Sequence, residues 1–146
     1  MTDFLAVVAV LACSVFAGAA VYINLVEHPA RMSCGTEIAL AQWAPSYKRA
    51  TVMQASLAVI ATIAGALRWY EAGGSLWLLG ASCILAVIPF TVIVILPTNT
   101  RLLEPGRDRG SAETRALLEA WGRLHAVRSG LSVVAALVYL IALAGS

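Results

Sequence analysis

Four apolar runs, residues 4–25, 51–67, 75–96 and 124–143, take up most of this 146-residue chain. Each is close to the ~20 helical residues needed to cross a hydrocarbon core. Inside a bilayer every backbone N–H and C=O must find its partner within the segment, so the runs read as helices rather than strands. Hydrophobic residues make up 60% of the sequence, well above the roughly 45–50% of soluble domains. The fold expected is all-α: an integral-membrane, antiparallel four-helix bundle, one transmembrane domain over residues 1–146. The second run is short, and Arg68, Trp69 and Tyr70 lengthen it as a snorkelling aromatic end.

A cleaved leader would need a basic start and an apolar stretch of only about 7–15 residues. Here Asp3 precedes a longer run without any Lys or Arg, so the first segment is expected to stay. Arg31, Lys48 and Arg49 lie between the first two runs, and Arg101, Arg107, Arg109, Arg115 and Arg123 between the last two. Only Arg68 lies in the middle connection. By the positive-inside rule both termini are on the non-cytoplasmic side, in a multi-pass protein expected in a bacterial inner membrane. The same rule accounts for the arginines without nucleic acid, so no such partner is expected.

Cys13, Cys34 and Cys83 are odd in number and lack a C-x-x-C pair. That excludes a disulfide framework or thiol relay, and with it the membrane disulfide oxidases and vitamin K reductases. No acidic residue lies deep in a span, unlike small multidrug exporters. Two histidines cannot supply the paired bis-histidine sites of ascorbate-reducing cytochromes.

Small residues such as Ala9, Cys13, Ala17, Ala61 and Gly65 allow close helix approach. Residues 29–49 read as a long connection in which Thr36 starts a short helix that Pro45 limits, with Trp43 and Tyr47 at the membrane interface. Pro89 is expected to bend the third span or free a carbonyl, and Pro97 to end it. Trp69, Tyr70 and Trp77 read as an outer aromatic belt. Ser111 is positioned to cap a fourth helix running from about residue 112 into the last span, with Glu119 and Arg123 paired at i, i+4.

Two polar clusters interrupt the apolar pattern with identical spacing: Asn24, His28 and Arg31, then Trp121, His125 and Arg128. The i, i+4, i+7 interval puts each trio on one helix face. Arg128 lies about one turn inside the hydrocarbon, where an arginine costs roughly 2.5–3.5 kcal/mol and faces a partner or wet cavity. Neutral histidine serves as a general base or a metal ligand, and the residues alone leave both open. Asn24 offers donor and acceptor, Trp121 an indole N–H, and Arg31 and Arg128 fixed positive charge. Asn99 and Arg101 add polar groups below the third span. Glu27 is placed to pair with Arg31. If antiparallel helices bring the trios together, Asn24 meets Arg128, His28 meets His125, and Arg31 meets Trp121.

The stretches Tyr22-Ile-Asn-Leu-Val-Glu-His-Pro-Ala-Arg31, Gln42-Trp-Ala-Pro-Ser-Tyr-Lys-Arg49, Pro89-Phe-Thr-Val-Ile-Val-Ile-Leu-Pro-Thr-Asn99 and Trp121-Gly-Arg-Leu-His-Ala-Val-Arg128 resemble a family of small four-helix membrane proteins that includes the anthrone oxygenases. The resemblance implies oxidation of a lipophilic anthrone or phenol to a quinone with O2. His28 or His125 would remove a ring proton, while Arg128, Asn24 and Trp121 stabilise the oxyanion, and no cofactor is obligatory. Arg31, Asn99 and Arg101 complete the expected substrate-binding set. Two other readings stand beside it: a redox protein holding haem or a transition metal through His28 and His125, and a non-catalytic subunit that binds lipid or assembles with partners, including copies of itself.

Overall fold

The computed structural model describes residues 1–145, and every regular element among them is helical. Four helices are long and apolar enough to cross a membrane: α1 (Thr2–Ser33), α2 (Thr36–Ala72), α3 (Ser75–Leu102) and α4 (Ala112–Ala144). They form a bundle in which α1 and α3 each pack against both α2 and α4.

Each helix outruns its apolar stretch. The long connection expected over residues 29–49 is absent, because α1 and α2 are parted only by Cys34 and Gly35. Gly35 has φ +90°, a left-handed conformation that side chains resist. Pro45 does not limit a short helix; α2 runs through it. The turn around Pro45 is braced from outside its own backbone. Gln42 and Ser46 donate to the Glu27 carboxylate at 2.9 and 2.6 Å, and Trp43 stacks on Tyr47 with ring centroids 5.0 Å apart.

Two other prolines also fail to end helices. Wide π turns occupy Ile23–Glu27 in α1 and Thr91–Ile95 in α3, and each is followed two residues on by a proline, Pro29 or Pro97. A proline lacks one N–H and its ring crowds the carbonyl four residues back. Widening the preceding turn relieves that clash while the helix continues, so Pro97 marks a π turn and α3 ends at Leu102. In α1 the buried residues step by three or four to Ile23 and then by five to His28, which is the extra residue of the π turn.

The core falls into two clusters. One packs the alanines of α1 and α2 with Phe16, Trp77, Ile84, Val87 and Tyr139. Tyr139 donates to the Ala61 carbonyl at 2.8 Å and fits over Gly65 and Gly80, where a Cβ would collide with its ring. Trp77 belongs to this core rather than to an outer belt, and the Arg68 guanidinium lies 5.3 Å over its ring. Trp69 and Tyr70 are exposed as expected. The second cluster gathers Trp43, Leu118, Trp121, Ile23 and Ile95. Ser111 caps α4 by accepting from the Thr114 N–H at 3.1 Å. Glu119 pairs one turn back with Arg115, not with Arg123.

Candidate functional site

Between the two apolar clusters the polar trios meet. Because α1 widens at its π turn, Asn24, His28 and Arg31 present one face to α4. Asn24 Nδ2 donates to the Gly122 carbonyl at 3.0 Å. That carbonyl can only accept, so the amide orientation is fixed and Oδ1 is left facing His125 Nδ1 at 2.7 Å. Nδ1 therefore carries the proton, and Nε2 is the lone-pair nitrogen of a neutral imidazole. Ser129 supports the same acceptor, donating to Asn24 Oδ1 at 2.6 Å. Arg128 Nη1 lies 3.4 Å from His125 Nε2, and its guanidinium carbon is 4.9 Å over the Phe16 ring. Among the described residues no carboxylate is within 4.0 Å of Arg128, although five other ion pairs form in the protein.

The expected cross-matching holds for one pair and shifts for two. Arg31 sits 5.8 Å over the Trp121 ring as anticipated. Asn24 meets His125 rather than Arg128. His28 packs on Trp121 with centroids 5.2 Å apart, and Trp121 stacks on His125 at 4.8 Å. The indole thus serves as the common neighbour of both histidines. Glu27 takes the charge of Arg31 directly, in an ion pair reinforced by Gln42 and Ser46. Of the two site arginines, Arg128 is the one without a carboxylate partner among the described residues.

A cavity of about 180 Å³ opens beside these groups. Its wall includes Arg31, Trp121, His125 and Arg128, opposite Tyr47, Gln54, Thr91 and Asn99 from α2 and α3. Thr51, Ala55 and Val92 line it and are exposed, so its mouth lies between α2 and α3, on the side that faces lipid. The α3 π turn supplies Thr91, Val92 and Ile95 to the wall, in keeping with the frequent use of such turns at functional sites. Asn99 is buried, and both its amide atoms lack hydrogen-bond partners among the described residues.

Arg101 does not join the cavity. It is exposed and pairs with Glu113 at 3.1 Å, because it lies past the buried face of α3. Asn24 and His28 stand behind the wall rather than in it. Gln54, Tyr47 and Ser129 join the site without belonging to either polar trio, and Trp43, expected at the interface, is fully buried. A lone glutamine among apolar residues near the start of the second run was the available signal for Gln54.

Metal or haem ligation by His28 and His125 does not fit these residues. His125 Nδ1 is committed to Asn24, His28 packs against Trp121 and Gly122, and among the described residues no group of three His, Cys, Asp or Glu is arranged to hold an ion. A porphyrin is also far larger than the cavity.

A sequence model described as anthrone oxygenase matches residues 43–138. The chain belongs to the anthrone oxygenase family. The matched stretch contains Gln54, Asn99, Trp121, His125 and Arg128, whereas Asn24, His28 and Arg31 lie ahead of it. Among curated proteins the chain is 29% identical over 131 residues to the anthrone oxygenase tpcL of Aspergillus fumigatus, covering 83% of this chain and 81% of that one. No solved structure matches it. Membership in the anthrone oxygenase family supports an oxygenase-like activity for the chain.

Proposed function

We propose that the protein oxidises a lipophilic anthrone, or a comparable electron-rich phenol, to a quinone with O2, and that His125 is the base. The observation that carries this reading is the fixed tautomer of His125: Asn24 holds Nδ1–H and leaves the Nε2 lone pair beside Arg128 at the cavity. Nε2 takes a proton from the ring methylene, and the carbonyl oxygen becomes an enolate. Arg128, whose charge no carboxylate neutralises, stabilises that oxyanion in a site of low dielectric. The enolate carbon adds O2 and becomes a hydroperoxide. Loss of its remaining C–H proton with cleavage of the O–O bond gives the second ketone and water. The carbon gives up four electrons and O2 takes up four, so the balance closes without a further redox partner.

The cavity volume lies near the ~150 Å³ that suffices for benzene and below the 300–1,000 Å³ of drug-sized pockets. A fused tricycle would thus place its reacting rings inside and its remainder in the mouth between α2 and α3. Entry from the bilayer suits a lipophilic substrate. Two features support an antiparallel bundle with both termini on the non-cytoplasmic side. Cys13 with Ser132 and Asn24 with Gly122 run in opposite senses along α1 and α4. Basic residues gather in the first and third connections. A bacterial inner membrane is the proposed setting; the curated relative is fungal.

The test is oxygen uptake with quinone formation, measured in detergent on anthrone with wild type and His125→Ala. A general base contributes about 10²–10⁴-fold, so the variant should lose at least about a hundredfold while keeping its fold. Full activity in the variant would remove His125 from the mechanism, and no uptake by the wild type over a panel of anthrones and hydroquinones would remove the oxidation itself.

A further inference from the structure

Gln54 is 1% exposed, lines the cavity from α2, and has neither its amide oxygen nor its amide nitrogen bonded to any described residue. A buried polar group left unsatisfied carries the full penalty of its lost hydration. Two such atoms on one side chain, facing a cavity that also holds a base and a free cation, point to a ligand that supplies both an acceptor and a donor. A phenolic hydroxyl does so with one atom.

Its depth follows from two cross-links between α2 and α4. Trp43 meets Trp121, and Ala61 accepts from Tyr139; the links are separated by 18 residues on each helix, so the two keep register between them. Gln54 is therefore level with Ser132, one turn past Arg128, or about 6 Å along the axis. Its surroundings there are apolar: Phe16, Ala58 and Val87. Gln54 is the polar group at that end of the cavity, while Asn99 and Arg31 belong to the end nearer Trp121.

We propose that Gln54 is a specificity-determining residue, whose buried amide, one helical turn beyond Arg128, selects aromatic substrates carrying a hydroxyl about one ring away from the oxygen that becomes anionic. This rests on the proposed oxidation, and it goes beyond it by naming the substrate feature and the side chain that reads it. A site built to hydrogen-bond a hydroxyl discriminates strongly against the analogue lacking it, because the site's own groups are then left unpaired.

The experiment compares 3-hydroxyanthrone, whose hydroxyl lies across one ring from the carbonyl oxygen, with unsubstituted anthrone for the full chain in detergent, as kcat/KM above the uncatalysed rate. Wild type, Gln54→Leu and Gln54→Met are measured. Binding of the two corresponding anthraquinones is read in parallel from quenching of tryptophan fluorescence, since Trp121 lines the cavity. Wild type is expected to favour the hydroxylated compound by about tenfold or more in either readout. The preference should fall to within about twofold in the apolar variants. Met keeps the length of the side chain if Leu impairs folding. A preference that is absent in wild type, or that survives in both variants, overturns the proposal. If neither anthrone is oxidised, the oxidation reading falls while the binding ratios still decide the role of Gln54.

Discussion

The side-chain carbonyl of Asn24 stands 2.7 Å from Nδ1 of His125, across 101 positions of sequence. It can occupy that place because its amide nitrogen is bonded to the Gly122 carbonyl one turn earlier on α4. One asparagine thus joins two helices and sets the tautomer of the imidazole.

Asn24→Leu should release that tautomer without emptying the cavity. The expected result is a fall in kcat of about ten- to a hundredfold with KM nearly unchanged, since Asn24 does not line the wall. Asn24→Asp keeps an acceptor for Nδ1–H and should retain more activity than the leucine variant. Steady-state kinetics on the same anthrone checks both, and equal activity of Asn24→Leu and wild type would refute the orienting role.

Arg128 is half-sequestered without a carboxylate, an arrangement that disfavours folding in a membrane. Arg128→Met should therefore reduce kcat by about 10²–10³, the usual loss for an oxyanion-stabilising group. Its thermal midpoint in detergent should stay the same or rise. A marked drop in the midpoint would instead identify Arg128 as structural.

Gly122 and Gly130 lie two turns apart on α4 and should answer oppositely to alanine. A Cβ on Gly122 would come within 2.6 Å of His28 Nε2, while nothing lies within 4 Å of one on Gly130. Gly122→Ala is expected to destabilise by about 1–3 kcal/mol through overpacking. Gly130→Ala should be neutral or stabilise by up to about 1 kcal/mol, because alanine is the better helix former. Reversible unfolding in detergent measures the difference, and similar values for the two would show that His28 moves aside freely.

Tyr139 tests the other end of the bundle. Tyr139→Phe removes one hydrogen bond to a carbonyl that lies inside α2, so the loss should be about 0.5–1.5 kcal/mol, with activity unchanged. Gly80→Val should be far more harmful, since a Cβ there meets Tyr139 Cδ1 at 2.6 Å and the ring is enclosed. A loss of activity in Tyr139→Phe would mean that this core communicates with the cavity.

Much of this was legible in the chain. The four apolar runs required helices, since no other backbone arrangement of that length satisfies its hydrogen bonds in lipid. The repeated i, i+4, i+7 spacing marked Asn24, His28, Arg31, Trp121, His125 and Arg128, and those six do come together. Prolines misled, because sequence records a missing N–H but not whether the surroundings brace the turn. Pro45 is held by bonds from Gln42 and Ser46 to a glutamate on another helix. Pro29 and Pro97 are absorbed by π turns. Arg101, expected with Asn99 as a polar group below the third span, falls past the buried face of α3 and pairs with Glu113 instead.

Hydropathy and periodicity, acting over a few turns, determined that this chain makes four membrane-length helices and that two of them carry polar faces. Which atoms of those faces meet was decided only by tertiary structure. A π turn rotates α1 by one extra residue, and a register between helices set by Tyr139 and Trp121 gives His125 to Asn24 and leaves Arg128 and Gln54 to the cavity. Partner choice of this kind depends on ångström-scale offsets between segments about a hundred residues apart, and no local property of either segment encodes them.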